Sequence, residues 1–176
     1  MPQGNSLLAY LPSRLLELLE RDPASHPSPP WEERFVGAVM FVDVSGFTPL
    51  SEMLTRSGAT GTERLTDILN RFYQWLVASV EGDGGFVARF NGDAITAIFP
   101  HESPDQAFQV AIHCGLDLVR MAYRHPPEVV DEVDFPLRVK VGIGAGAIYA
   151  AAIGDEQGEL RYFTAGEAVQ AAMLSS

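Results

Sequence analysis

The chain has 176 residues, 47% of them hydrophobic, a formal net charge of −11 and one cysteine, Cys114. This length and apolar content suit one compact core and exclude a disordered chain. The acidity disfavours nucleic-acid binding, which needs a basic surface, and a lone cysteine excludes an internal disulfide framework and fits a cytosolic compartment.

Residues 1–34 read as a lead-in and residues 35–176 as the main domain. Leu7 to Glu20 is amphipathic, with Leu15, Leu16, Leu18 and Leu19, and Pro12 suits a helix start. Asp22 to Pro30 is a Pro/Ser-rich linker. The N-terminus has no basic region before its short apolar stretches, so neither a signal peptide nor a membrane span is expected. Val36 to Val42 is an apolar run that predicts a buried strand. Thr48 and Pro49 then read as the cap and first position of a helix. Ser57 to Thr62 is a Gly/Thr-rich break.

Leu65, Ile68, Leu69, Phe72, Leu76 and Val80 recur at helical spacing, and Gly82 to Gly85 ends that helix. Phe86 to Phe90 and Ala94 to Phe99 predict two strands joined at Asn91-Gly92. Asp105 to Ala122 predicts another helix, with Ala107, Val110, Ala111, Cys114 and Leu118 inward. Leu137 to Ile148 and Leu160 to Phe163 read as strands, Glu156 to Glu159 as a hairpin tip, and Gly166 to Leu174 as a final helix. The expected class is α+β, a ferredoxin-like βαββαβ core with an added helix.

Two carboxylates stand out. Asp43 ends a buried strand just before a helix, in Phe41-Val42-Asp43-Val44-Ser45-Gly46-Phe47-Thr48. A helix start offers free N–H groups to phosphate oxygens, and a carboxylate beside such a cradle suits metal-assisted phosphoryl chemistry. It also suits a simple helix cap. Asp93 follows the turn in Arg89-Phe90-Asn91-Gly92-Asp93-Ala94, where Asn-Gly-Asp alone is an ordinary turn. Brought together at one sheet edge, the two would share divalent ions.

Phe41, Asp43, Val44, Gly46, Phe47 and Thr48, with Gly92, Asp93 and Ala94, resemble the F-x-D-[IV]-x-G-F-T and G-D-A motifs of the class III adenylyl/guanylyl cyclase catalytic domain. The likeness leans towards the first domain of the bicarbonate-responsive soluble type and its bacterial relatives. Tyr10-Leu11-Pro12 and Gly58 to Glu63 look like that branch too. The resemblance implies two Mg²⁺ or Mn²⁺ ions held by Asp43, Asp93 and the carbonyl of Val44. It implies phosphates cradled by Ser45, Gly46, Phe47 and Thr48, with Gly92 beside them. The implied reaction is attack of the ribose 3′-oxygen of ATP on the α-phosphorus, with loss of pyrophosphate. The implied partner is a second cyclase domain, in a heterodimer, a tandem chain or a homodimer.

Arg89 occupies the position of the family's base-recognising Lys, or is an exposed strand charge. Phe163 replaces an ATP-selecting Asp or Thr, Gln170 a ribose-positioning Asn, and Met173 the transition-state Arg. Methionine cannot stabilise developing phosphate charge. Little activity is therefore expected of this chain by itself, and Met173 stands against bicarbonate control. Two other readings stay open: a noncatalytic regulatory or dimerisation module, and an unrelated metal-dependent phosphohydrolase. His26, His101, His113 and His125 lack metal-ligand spacing, and Trp75 reads as core or interface.

Overall fold

A computed structural model describes residues 31–154 and 160–175. The lead-in helix, the Pro-rich linker and the Glu156 to Glu159 tip lie outside the described residues. The elements are β1 (Trp31–Ser45), α1 (Phe47–Arg56), α2 (Gly58–Gly82), β2 (Phe86–Asn91), β3 (Ala94–Pro100) and α3 (Pro104–Arg124). There follow β4 (Glu128–Val130), β5 (Val133–Phe135), β6 (Arg138–Gly154), β7 (Leu160–Ala165) and α4 (Glu167–Ser175).

Five strands form one antiparallel sheet in the order β2-β3-β1-β6-β7. Its first four strands have the order of a ferredoxin-like core: β1 crosses over to β2 with β3 between them, and β3 crosses over to β6 with β1 between them. β4 and β5 make a separate two-stranded hairpin.

β1 is the axis of the molecule. It pairs with β6 along its whole length, from Trp31↔Ala152 to Ser45↔Arg138, and with β3 from Gly37↔Pro100 to Asp43↔Ala94. Alternate residues point to opposite faces. Ala38, Met40, Val42 and Val44 enter the main core, with Leu50 and Leu54 of α1, Ile68, Phe72, Leu76 and Val80 of α2, and Ala107, Ala111, Cys114 and Leu118 of α3. Val39 enters a smaller core on the other face, with Ile98, Ile148 and Ala168 and Ala172 of α4.

Several boundaries differ from the sequence expectation. β1 starts at Trp31, because Glu32 to Phe35 pair with β6 although they are not uniformly apolar. The cap of α1 is Gly46 rather than Thr48, and Thr48 lies inside the helix. The break between the first two helices shrinks to Ser57: α2 begins at Gly58, where Thr62 donates its hydroxyl back to the Gly58 carbonyl. In the β2–β3 hairpin the central turn residues are Gly92 and Asp93, since Asn91 is still paired with Ala94. Gly92 has φ 66° and Asp93 is not among the positive-φ residues, the pattern of a type II′ turn.

Candidate functional site

The end of β1 and the β2–β3 turn form one structural unit. Asp43 stands opposite Ala94 in the β1–β3 register, so the residue next to Ala94, Asp93, meets the chain just past Asp43. The Val44 N–H donates to the Asp93 carbonyl at 3.2 Å. The two carboxylates predicted from sequence are therefore carried by neighbouring positions on paired backbone. Asp43 is half-buried and Asp93 exposed. By alternation, Asp43 falls on the sheet face of Val39 and Phe41.

Beyond Val44, which is buried, Ser45 ends the strand and Gly46 turns the chain into α1. Gly46 has φ 102°, and an added Cβ would lie 2.5 Å from the Pro136 carbonyl oxygen. Only glycine meets both conditions without strain. No side chain caps α1, and its first turn has no acidic residue. Its leading N–H groups are open to an anion, and the helix dipole favours one there. Phe47 is buried and holds the turn down through edge-on contact with Phe72 at 5.6 Å, while Thr48 is exposed.

Two residues near this unit escaped the sequence reading. Lys140 pairs with Asp43 across β6 and is exposed, which puts a cation on the strand beside the carboxylate. A single lysine in a glycine-rich strand gives no local signal of this. Tyr73 reaches the turn from α2, and its hydroxyl donates to the Gly92 carbonyl at 3.1 Å. Its ring lies edge-on to Phe90 at 5.7 Å and tilted against Phe47 at 6.3 Å. Burial, and then the Asp93 charge, push its phenol above the usual tyrosine value. In sequence it reads only as another aromatic on a core-facing helix.

Arg89 is not grouped with the carboxylates. It is exposed, sits at a register shift in β2 and lines a cavity of about 120 Å³ with Phe41, Thr96, Tyr162, Phe163 and Met173. The departures Phe163 and Met173 thus meet Arg89 in one place, while Gln170 is exposed on α4 nearby in sequence. Among the described histidines, His101 Nδ1 accepts from the Glu102 N–H and His113 lies near Asp83 and Asp117, while His26 lies outside the described residues. Trp75 packs edge-on against Phe72 at 5.3 Å.

The residues fit a divalent metal paired with phosphate. Hard cations take oxygen ligands and retain water or substrate oxygens in their shell. Two carboxylates and a strand-end carbonyl beside an uncapped helix start are such a donor set. Among the described residues no cluster of three or more His, Cys, Asp or Glu side chains suits a metal, so other oxygens would have to complete the shell. No helix among the described residues is long and apolar enough to cross a membrane.

The family model described as "Adenylate and Guanylate cyclase catalytic domain" matches residues 34–175. Adenylate cyclase type 10 of Rattus norvegicus is 34% identical over 134 residues, covering 74% of this chain and 8% of that protein. The Homo sapiens protein of the same name is 32% identical over 153 residues, covering 85% of this chain and 9% of its own length. The chain thus spans less than a tenth of these relatives. Among solved structures, the adenylyl cyclase CyaB from P. aeruginosa superposes with a TM-score of 0.64 at 25% identity, over 82% of this chain and 73% of that one. With its sheet order, its strand-end aspartates and this match over most of its length, the chain belongs to the adenylate and guanylate cyclase catalytic domain family.

Proposed function

We propose that the chain is the metal-bearing half of an adenylyl cyclase, converting ATP to cyclic AMP and pyrophosphate at an interface with a second cyclase domain. The observation that carries this is the Val44–Asp93 backbone bond, which keeps Asp43 and Asp93 adjacent at the mouth of the uncapped helix α1. Asp43, Asp93 and the Val44 carbonyl would hold two Mg²⁺ or Mn²⁺ ions. Bound there, the metals would supply charge neutralisation and lower the pKa of the attacking hydroxyl. The N–H groups at the start of α1, from Gly46 to Thr48, bind and orient the phosphates, with Ser45 and Gly92 lining the approach. Lys140 adds a cation beside Asp43 and favours the polyanionic substrate.

The chain's other half-site has little to offer the reaction. Phe163 has no acceptor for an adenine amino group, and Met173 has no charge for the transition state. A complementary domain would bring the Asn and Arg that Gln170 and Met173 replace. ATP is preferred over GTP on the likeness to type 10 adenylate cyclases and the cation at Arg89. The reading extends to a cytoplasmic role in intracellular signalling, with residues 1–34 as a lead-in to the catalytic domain at 35–176.

The test is reconstitution. Mixed with a cyclase domain that carries the Asn and Arg, the chain should form cyclic AMP from ATP and Mn²⁺, and Asp43→Ala should abolish the product. Equal turnover by Asp43→Ala sinks the metal reading. A second reading, a noncatalytic regulatory or dimerisation module, is favoured by the apolar lining that Phe163 and Met173 give the cavity at Arg89. Failure to bind ATP with Mn²⁺ beside a competent partner would support it.

A further inference from the structure

The turn that carries Asp93 is held by both carbonyls that flank its peptide unit. The Asp93 carbonyl accepts from Val44 on the strand side, and the Gly92 carbonyl accepts from the Tyr73 hydroxyl on the helix side. Without Tyr73 the turn would be held from the sheet side only, by the Val44 bond and by the β2–β3 pairing that runs up to Asn91↔Ala94. Tyr73 is rooted in α2, and its neighbours Phe72 and Leu76 are core residues, so its ring has little freedom. The same ring touches Phe47, the first residue of α1, and Phe90, three residues before Asp93. One side chain therefore spans the two backbone segments that have to stay in register: the helix start open to phosphate and the turn bearing the second carboxylate.

We propose that Tyr73 is a positioning residue for the metal site, setting the Asp93 turn against the start of α1 through its hydrogen bond to the Gly92 carbonyl. The inference rests on the metal-site reading above. Two carboxylates share ions only when their separation is fixed. The β2–β3 ladder and the Val44 bond hold the turn within the sheet, and the freedom left to its tip is tilt towards or away from the helical layer. A hydroxyl anchored in the helical layer removes that freedom. Tyr73 touches neither metal nor substrate in this account; it acts through Gly92 and Asp93.

Tyr73→Phe removes the hydroxyl and keeps both ring contacts. The assay is Mn²⁺ affinity of the full chain in the presence of a non-cyclisable ATP analogue, followed by electron paramagnetic resonance of free Mn²⁺. A core variant of the same helix, Ile68→Val, controls for general loss of stability. The expected result is binding about 3- to 10-fold weaker in Tyr73→Phe, the range set by loss of one hydrogen bond, with wild-type affinity in Ile68→Val. In the reconstituted enzyme the Mn²⁺ concentration for half-maximal rate should rise by the same factor, with kcat at saturating Mn²⁺ within about twofold, because the bond tunes metal binding and not the chemical step. Wild-type Mn²⁺ affinity in Tyr73→Phe, or equal weakening in Ile68→Val, overturns the role of Tyr73 and leaves the carboxylate pair intact. If Asp43→Ala binds Mn²⁺ as the wild type does, the metal reading itself falls and this inference falls with it.

Discussion

The Val44 N–H and the Asp93 carbonyl, 3.2 Å apart, join the central strand to the turn of a neighbouring hairpin. Because the bond is backbone to backbone, it survives any change to either aspartate side chain. Asp43→Ala and Asp93→Ala should therefore fold normally, with melting temperatures close to that of the wild type, since the backbone bond that sets the turn is kept. Reconstituted turnover should fall by about 100-fold or more in each, the scale expected when several kcal/mol of metal-based stabilisation are lost. Cyclic AMP formation with Mn²⁺, measured beside thermal melting, separates the two effects.

Gly46→Ala should behave in the opposite way. The substitution forces a side chain onto backbone at φ 102° and against the Pro136 carbonyl oxygen. A loss of about 2 kcal/mol or more is expected, read as a lowered denaturant midpoint with unchanged slope. Weaker binding of the nucleotide triphosphate should accompany it, since the leading N–H groups of α1 are re-aimed.

Met173 is 61% exposed, so a longer polar side chain is tolerated there. Met173→Arg combined with Gln170→Asn restores the residue types that the family uses to orient ribose and stabilise transferred charge. The double variant should gain cyclase activity in the absence of any partner domain, by about 100-fold over the unaltered chain. If two copies of the double variant stay as inactive as the wild type, the deficit lies elsewhere, with Phe163 the next substitution to try.

Cys114 is buried and its thiol is pushed up to about 12, first by burial and then by the nearby Asp83 carboxylate. The thiolate is the reactive form, so the folded chain should resist alkylation at pH 8 and be labelled only on unfolding. The folded pKa lies above the unfolded one. Its contribution to stability is therefore complete below the unfolded value and is lost as the pH climbs towards 12. Tyr73, raised in the same direction, adds to that alkaline loss. A fall in melting temperature between neutral pH and pH 10.5 checks the sign.

On the proposed function, Lys140→Ala should raise the KM for the nucleotide more than it lowers kcat, because a cation paired with Asp43 in the β1–β6 register would attract the polyanionic substrate. Steady-state kinetics of the reconstituted enzyme at several salt concentrations would show a flattened salt dependence in the variant.

The sequence made the helices and the β2–β3 hairpin legible, because their apolar spacing and turn residues speak locally. It also named both aspartates. It did not give their adjacency, which depends on the β1–β3 register, a pairing between segments about fifty residues apart. The start of β1 was hidden because Glu32, Glu33 and Arg34 do not read as a buried strand, yet β6 pairs with them. The cap of α1 was misread because Thr48-Pro49 imitates a helix start, while Gly46 needs Pro136, far along the chain, to explain its conformation. The β4–β5 hairpin went unseen because its turn residues Asp131 and Glu132 adopt positive φ without the glycine that normally signals it.

Helix α4 lies so close to β6 that a Cβ on Gly144 would come within 2.4 Å of the Ala168 carbonyl oxygen. That closeness is achieved with small residues, Ala168 and Ala172, which bury little apolar area compared with the leucines and phenylalanines under α1 and α2. The two faces of the sheet therefore have unequal grip. On gentle warming, or in low denaturant, α4 should open first and become protease-sensitive and fast in hydrogen exchange, while β1 and the Asp93 turn remain closed. Gln170 and Met173, two of the residues that depart from the family pattern, ride on the helix expected to let go first, and the matching aspartates ride on the strand and turn expected to let go last.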